Sequence, residues 1–232
     1  MSDGPSVSVN GRTYRYPRRP TVIVCIDGGE PEYFDRAVAA GVAPAIARFR
    51  AQGMSRLARC VVPSFTNPNN LSIVTGVPPA VHGICGNYFY DPATGREVMM
   101  NDPAFLRCGT LLAALSRAGA RCAVITAKDK LRRLLGHGMT GICFSSEKAA
   151  EVTKDEHGIA RVTDLVPLAV PDVYSAELSE YVLAAGLALL ERERPDVMYL
   201  SLTDYIQHKH PPGDPVATRF YAMLDHYFGA FD

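Results

Sequence analysis

The hexapeptide Thr203-Asp204-Tyr205-Ile206-Gln207-His208 follows Pro195-Asp196-Val197-Met198-Tyr199-Leu200-Ser201-Leu202, a run with the character of a buried strand. A carboxylate and an imidazole four residues apart lie on one face of a helical turn, where both can reach one cation. That turn would sit at the carboxyl end of a strand, where open α/β sheets place their ligands. An earlier apolar run, Thr21-Val22-Ile23-Val24-Cys25-Ile26, also ends in a carboxylate, Asp27, followed by Gly28-Gly29. A third expected strand, Leu57 to Val62, leads into Pro63-Ser64-Phe65-Thr66-Asn67-Pro68, which carries a hydroxyl. Three strand ends thus deliver two carboxylates, one histidine and one candidate nucleophile, the outline of a metallohydrolase.

Each residue also has a plainer use. Asp27 before two glycines suits a turn or a helix cap. Thr66, at the start of an expected helix, suits an N-cap; the same helix end presents N–H groups and partial positive charge to phosphate oxygens. A threonine hydroxyl becomes a useful nucleophile when a divalent metal lowers its pKa. Asp204 and His208 could form a local ion pair, and His210, before Pro211-Pro212, is expected at the periphery. Lys128 and Lys130 follow a strand end on the same side of the sheet as Asp27 and Asp204; they are either solvated or recognise an anionic group. Asn87 serves a turn or donates its amide to a phosphoryl oxygen. Asp225-His226 falls within a helical pattern that separates the two side chains by about 100°, so both are expected on ordinary helix surface.

The elements that must hold these residues alternate along the chain. After an exposed leader over residues 1–20, the pattern predicts strand 21–27, a helix from Pro31 breaking near Gly41, and a second helix from Pro44 to Gln52. Strand 56–62 and helix 68–75 follow. Residues 76–104, rich in Gly, Pro, Asn and Tyr, read as a long loop with a hairpin at Asp91-Pro92-Ala93-Thr94-Gly95. Then come helix 109–118, strand 121–126, a short strand at residues 142–146 within an insertion spanning about 141–170, helix 176–194, strand 196–202 and helix 215–228. This rhythm predicts an α/β fold, a mostly parallel sheet with helices on both faces, in one domain over 21–232.

Composition narrows the function classes. The chain has 232 residues, 47% of them hydrophobic, with zero formal net charge and no long run of one sign, so a nucleic-acid partner is not expected. No apolar stretch approaches the roughly 20 residues that span a bilayer. The start, Met1-Ser2-Asp3-Gly4-Pro5, lacks the apolar core of a secretory signal, and the expectation is a soluble cytoplasmic protein. The six cysteines are widely spaced with no C-x-x-C, and are expected to be reduced thiols, with Cys25, Cys60 and Cys122 inside strands.

Four segments together resemble the alkaline phosphatase superfamily, in its phosphodiesterase-like branch with a catalytic threonine. They are Val24-Cys25-Ile26-Asp27-Gly28, Val62-Pro63-Ser64-Phe65-Thr66-Asn67-Pro68-Asn69, Gly76-Val77-Pro78-Pro79-Ala80-Val81-His82-Gly83-Ile84, and Asp204-Tyr205-Ile206-Gln207-His208-Lys209-His210. The resemblance is nearest to those members that cleave the carbon–phosphorus bond of phosphonoacetate. It implies that Thr66 is the nucleophile and, with Asp27, a ligand of one zinc ion. By the same resemblance Asp204 and His208 hold a second zinc, Asn87 contacts the phosphoryl group, and Lys128 and Lys130 recognise the substrate carboxylate. The product would form through a phosphothreonine intermediate, and a homodimer is compatible with the resemblance. Members of this superfamily carry a further Asp-His pair and a last histidine beyond the stretch matched here, so the chain is expected to be the N-terminal portion of a longer enzyme. The alternatives are a nucleotide pyrophosphatase/phosphodiesterase, with Tyr88, Phe89 and Tyr90 as a base slot, and an inactive or anion-binding fragment.

Overall fold

The computed structural model describes residues 5–232; positions 1–4 of the expected leader lie outside the described residues. Most of the remainder of that leader is exposed, and it has regular structure. It forms a hairpin of β1 (Ser6–Val9) and β2 (Arg12–Arg15), turned at Asn10 and Gly11, both at positive φ. Alternating Ser-Val-Ser-Val followed by Asn-Gly is the pattern of a two-residue hairpin, which the flanking arginines obscured. Val9 is buried, and the Asn10 amide donates to the carbonyls of Thr75 and Gly109 at 2.9 and 2.8 Å.

β3 (Thr21–Cys25) leads to α1 (Pro31–Ala39) and α2 (Pro44–Gln52), each with proline in its first turn. Residues 53–65 correct the sequence reading. The strand expected over 56–62 does not form, Leu57 and Val62 are 85% and 91% exposed, and Cys60 is exposed as well. The run is apolar enough for a strand, but no described strand pairs with it, and a strand needs partners for its backbone groups. Beyond it lie α3 (Thr66–Thr75), α4 (Pro79–His82) and the expected hairpin, β4 (Tyr88–Asp91) with β5 (Arg96–Met99). α5 (Leu111–Arg117) is capped by Thr110, whose hydroxyl accepts from the Ala113 N–H at 3.0 Å.

β6 (Cys122–Thr126), α6 (Asp129–Leu135) and β7 (Gly141–Ser145) form a parallel unit. The expected insertion contributes two short helices, α7 (Lys154–His157) and α8 (Val162–Leu165), and it is not peripheral: Ile159, Val162 and Val166 join the core. α9 (Glu177–Arg192), β8 (Val197–Ser201) and α10 (Pro215–Phe231) complete the described chain.

The main sheet is parallel, in the order β3-β8-β6-β7, with β8 central. Alternate strand residues face two cores. Ala123, Ile125, Met198 and Leu200 pack with α1, α2, α9 and α10 on one side. Val124, Val197 and Tyr199 pack with Leu71 of α3 and Leu112 of α5 on the other. This is the α/β architecture that the alternating pattern predicts. All six cysteines are free thiols. Asp225, expected on helix surface, is buried on α10, and its carboxylate accepts from the N–H groups of Ala45 and Ile46 at 3.1 and 2.7 Å. It caps the first turn of α2, which has no capping side chain of its own.

Candidate active site

Parallel pairing of β3 and β8, with Cys25 opposite Ser201, brings the two strand ends side by side. Asp27 and Asp204 leave the sheet there. Gly28 makes the approach close: its φ is +69°, and a Cβ would come within 2.9 Å of the Gln207 side chain and 3.3 Å of the Asp204 side chain.

Thr66 is the first residue of α3, preceded by Phe65 at the N-cap position in an extended conformation. Its hydroxyl does not cap the helix. It donates instead to Asp27 Oδ2 at 2.8 Å. Burial pushes the Asp27 carboxyl above the usual range, and the neighbouring Asp204 carboxylate pushes the same way against the Thr66 hydroxyl, the Gly28 N–H and His208. A buried carboxyl group beside a second carboxylate forms a site that favours added positive charge.

Asp204 and His208 meet as their spacing predicts, His208 Nε2 lying 2.8 Å from Asp204 Oδ2. The His208 N–H donates to the Asp204 carbonyl at 3.0 Å, so the segment is one helical turn. The imidazole is 73% exposed and stands at the rim. His210 lies outside this group, with Nδ1 3.2 Å from Asp214 Oδ1.

The third contribution comes from β6. Asp27, Thr66 and Asp204 line one cavity of about 70 Å³ together with Lys128, Lys130 and Thr126. Such a volume suits a small anionic group rather than a pocket of about 300–1,000 Å³ for a drug-sized ligand. A larger cavity of about 640 Å³ lies at the opposite ends of β6 and β7, beside Cys122 and Gly141, and contains none of these residues. Lys128 Nζ donates to the Val173 carbonyl and lies 4.6 Å from the Tyr174 ring centroid. Burial lowers the Lys128 pKa and Lys130 adds to that, against Glu147 and Asp204.

Asn87, just before β4, accepts from the Asn67 N–H in the first turn of α3 at 3.3 Å. The Asn67 amide donates to the Met100 carbonyl at 2.9 Å, and Met100 N–H returns to the Asn87 carbonyl at 2.8 Å. The loop over residues 76–104 is thereby held against the turn that carries Thr66. All seven expected residues therefore lie in or beside one site, with His208 at its edge. Sequence reasoning missed Thr126, whose hydroxyl donates to the Lys128 carbonyl at 2.8 Å, and the Val173–Tyr174 contact. A hydroxyl two residues before Lys128 was a readable signal; nothing local relates positions 128 and 174.

The donors fit zinc in part. Asp27 and Thr66 offer two oxygens, and Asp204 and His208 an oxygen and a nitrogen, suitable for a borderline cation. Among the described residues no three His, Cys, Asp or Glu side chains gather as a ligand cluster. Each ion would thus need ligands beyond these pairs, since zinc ordinarily takes four.

A strand-end acid pair, a helix-borne hydroxyl and two lysines thus line one cavity at the carboxyl ends of a parallel sheet. The family model for type I phosphodiesterase/nucleotide pyrophosphatase matches residues 21–231, and the chain belongs to that family, within the alkaline phosphatase-like superfamily. More particularly, it is similar to phosphonoacetate hydrolase of Sinorhizobium meliloti 1021, in complex with phosphonoacetate or with phosphonoformate. Sequence identity to each of these structures is 57% over 100% of this chain, with a TM-score of 0.97. Murine ectonucleotide pyrophosphatase/phosphodiesterase 5 shares the fold at a TM-score of 0.60 and 16% identity over 91% of this chain and 51% of its own. Rat ectonucleotide pyrophosphatase/phosphodiesterase family member 1 is 28% identical over 220 residues, 90% of this chain and 21% of its own length. The chain spans 57% of the length of the Sinorhizobium structures. Among the described residues no helix is long and apolar enough to cross a membrane.

Proposed function

We propose that the protein containing this chain hydrolyses the carbon–phosphorus bond of phosphonoacetate, giving acetate and phosphate, with two zinc ions at the complete site. The observation that carries this reading is the placement of Lys128 and Lys130 in the same small cavity as the Thr66 hydroxyl. A substrate with a phosphonate at one end and a carboxylate one carbon away needs a nucleophile and a cationic contact within that reach. The likeness to the phosphonoacetate-bound Sinorhizobium structures supports it.

Thr66 Oγ1 is the attacking atom. Its proton points at Asp27 Oδ2, which orients a lone pair away from Asp27 and into the cavity. Zinc, when bound, would lower the pKa of the hydroxyl and offset phosphoryl charge. Attack at phosphorus forms the Thr66 O–P bond and breaks P–C, and the electron pair leaves on carbon. The ammonium groups of Lys128 and Lys130 stabilise that pair as it spreads into the substrate carboxylate. Asn87 lies at the α3 N-terminus, where its NH2 group, without a partner among the described residues, donates to a phosphoryl oxygen. The Thr66 proton passes to Asp27 Oδ2 as the O–P bond forms, and a proton taken from water converts the carbanion to acetate. The resulting hydroxide hydrolyses the phosphothreonine to phosphate, the Thr66 oxygen recovering its proton from Asp27.

The family model and the exposed Tyr88 and Tyr90 favour a second reading, a nucleotide pyrophosphatase/phosphodiesterase. The test compares phosphate release from phosphonoacetate with cleavage of a nitrophenyl nucleotide ester, before and after Lys128→Ala. The first reading expects phosphonoacetate turnover and a loss of about 10²-fold confined to that substrate. Equal loss on both substrates overturns the carboxylate role, and turnover of the ester alone establishes the second reading. Turnover of neither by the zinc-loaded chain identifies an inactive or anion-binding fragment.

A further inference from the structure

The Thr66 turn has little support on its N-terminal side, because residues 53–65 form no strand. Besides the Asn87 and Met100 contacts to Asn67, its support comes from below, through Asn70. This side chain is buried, one helical turn after Thr66. Its Nδ2 donates to the Thr66 carbonyl at 2.9 Å. Its Oδ1 accepts from two β8 hydroxyls, Tyr199 at 2.9 Å and Ser201 at 3.2 Å. Tyr199 in turn packs in the same core as Cys25 of β3.

One amide therefore bonds two of the three segments that reach the cavity, and its partner Tyr199 packs in one core with the third. These are α3 with Thr66, β8 running on to Asp204, and β3 running on to Asp27. The polarity of the cluster allows one orientation. The carbonyl of Thr66 can only accept, so it must face the NH2 group; the two hydroxyls must then give their protons to Oδ1. A rotation of the amide by 180° would set oxygen against oxygen and leave both hydroxyls without an acceptor. A buried amide with a single satisfiable orientation is a rigid spacer.

We infer that Asn70 is a positioning residue, the hub that sets the Thr66 hydroxyl against Asp27 and fixes its distance from Asp204. Its catalytic consequence rests on the phosphonoacetate reading; its structural consequence does not. A displacement of the nucleophile by about 1 Å costs on the order of 10²-fold in rate.

The test uses the chain as it is, with Asn70→Asp, Tyr199→Phe and Ser201→Ala. Asn70→Asp keeps the shape and both hydroxyl contacts but sets a carboxylate oxygen against the Thr66 carbonyl. Crystal structures are expected to show the 2.8 Å contact between Thr66 and Asp27 lost in Asn70→Asp and lengthened in Tyr199→Phe. Kinetics on phosphonoacetate are expected to show kcat reduced about 10- to 100-fold in the first variant and less in the other two, with KM nearly unchanged. An unchanged contact, or an unchanged kcat where the wild type turns over, overturns the inference. If the wild type does not turn over phosphonoacetate, the substrate reading fails and the structures alone decide on Asn70. Should Asn70→Asp not fold, the two hydroxyl deletions decide it by the same measurements.

Discussion

β8 and the segment before α3 both lead to the site, and they are built in opposite ways. β8 lies between β3 and β6 with all five of its residues buried. The segment at 53–65 has no regular structure and leaves apolar side chains in solvent. Asp204 is thus placed by a hydrogen-bonded ladder on both sides, whereas Thr66 is placed by side chains: Asp27 from one strand end and the amide of Asn70 from below. Backbone pairing gives the acids a fixed lateral spacing. The hydroxyl depends on a few polar contacts, each removable by one substitution.

Substitutions along the two segments test this contrast. The largest effect belongs to Thr66→Ala, which is expected to abolish phosphate release, a loss of at least about 10³-fold. Its melting temperature should stay near that of the wild type, so a parallel collapse of both quantities would show that the hydroxyl is structural. On β8, Leu200→Ala removes a fully buried side chain and should lower stability by about 2–5 kcal/mol in denaturant unfolding. A cost under 1 kcal/mol would mean that the central strand is not the rigid half of the comparison. Asp225→Ala should cost about 1–2 kcal/mol by removing the cap of α2, and Asp225→Asn, which retains one acceptor, should cost less.

A smaller effect has a distinctive pH signature. Because the folded Asp27 pKa is raised, the folded chain holds that proton more tightly than the unfolded chain does. The stabilisation this brings is complete below the ordinary aspartate pKa and is lost as pH rises through the folded value. Asp27→Asn should therefore raise the melting temperature of the zinc-free chain at pH 7, by an amount that fades as the solution is acidified into the carboxylate range. A constant difference across pH would remove the charge explanation. Smallest of all is Leu57→Ser, which should shift stability by no more than about 0.5 kcal/mol; a loss like that of Leu200 would show that the 53–65 segment is packed in solution.

Much of this was legible in the sequence for reasons of distance. Asp204 and His208 meet because four residues make a helical turn, and Asp27 and Asp204 meet because each ends an apolar strand of one parallel sheet. The expected strand over residues 56–62 failed because hydrophobicity marks a segment that can pair without showing that a partner is present. Asp225 failed for the complementary reason. Its local pattern is that of a helix surface, and the backbone it caps lies 180 residues away. The amide of Asn70 and the Tyr174 ring beside Lys128 are likewise products of tertiary contact. Chemistry carried by a single turn or strand end could be read, whereas contacts between distant segments could not.

The place of β3 in the sheet has a consequence for the growing chain on the ribosome. Its described partner is β8, whose last residue, Ser201, is paired with Cys25. β3 therefore emerges before its partner and must wait for the 176 residues from Cys25 to Ser201 (201 − 25) before its ladder can close, a delay on the order of ten seconds or more at about 5–20 residues per second. During that interval an apolar strand has no lateral partner, and the nascent protein is then most exposed to chaperones and to mispairing with its neighbours. The acid at the end of β3 is among the first of the site residues to be synthesised and among the last to be brought into place.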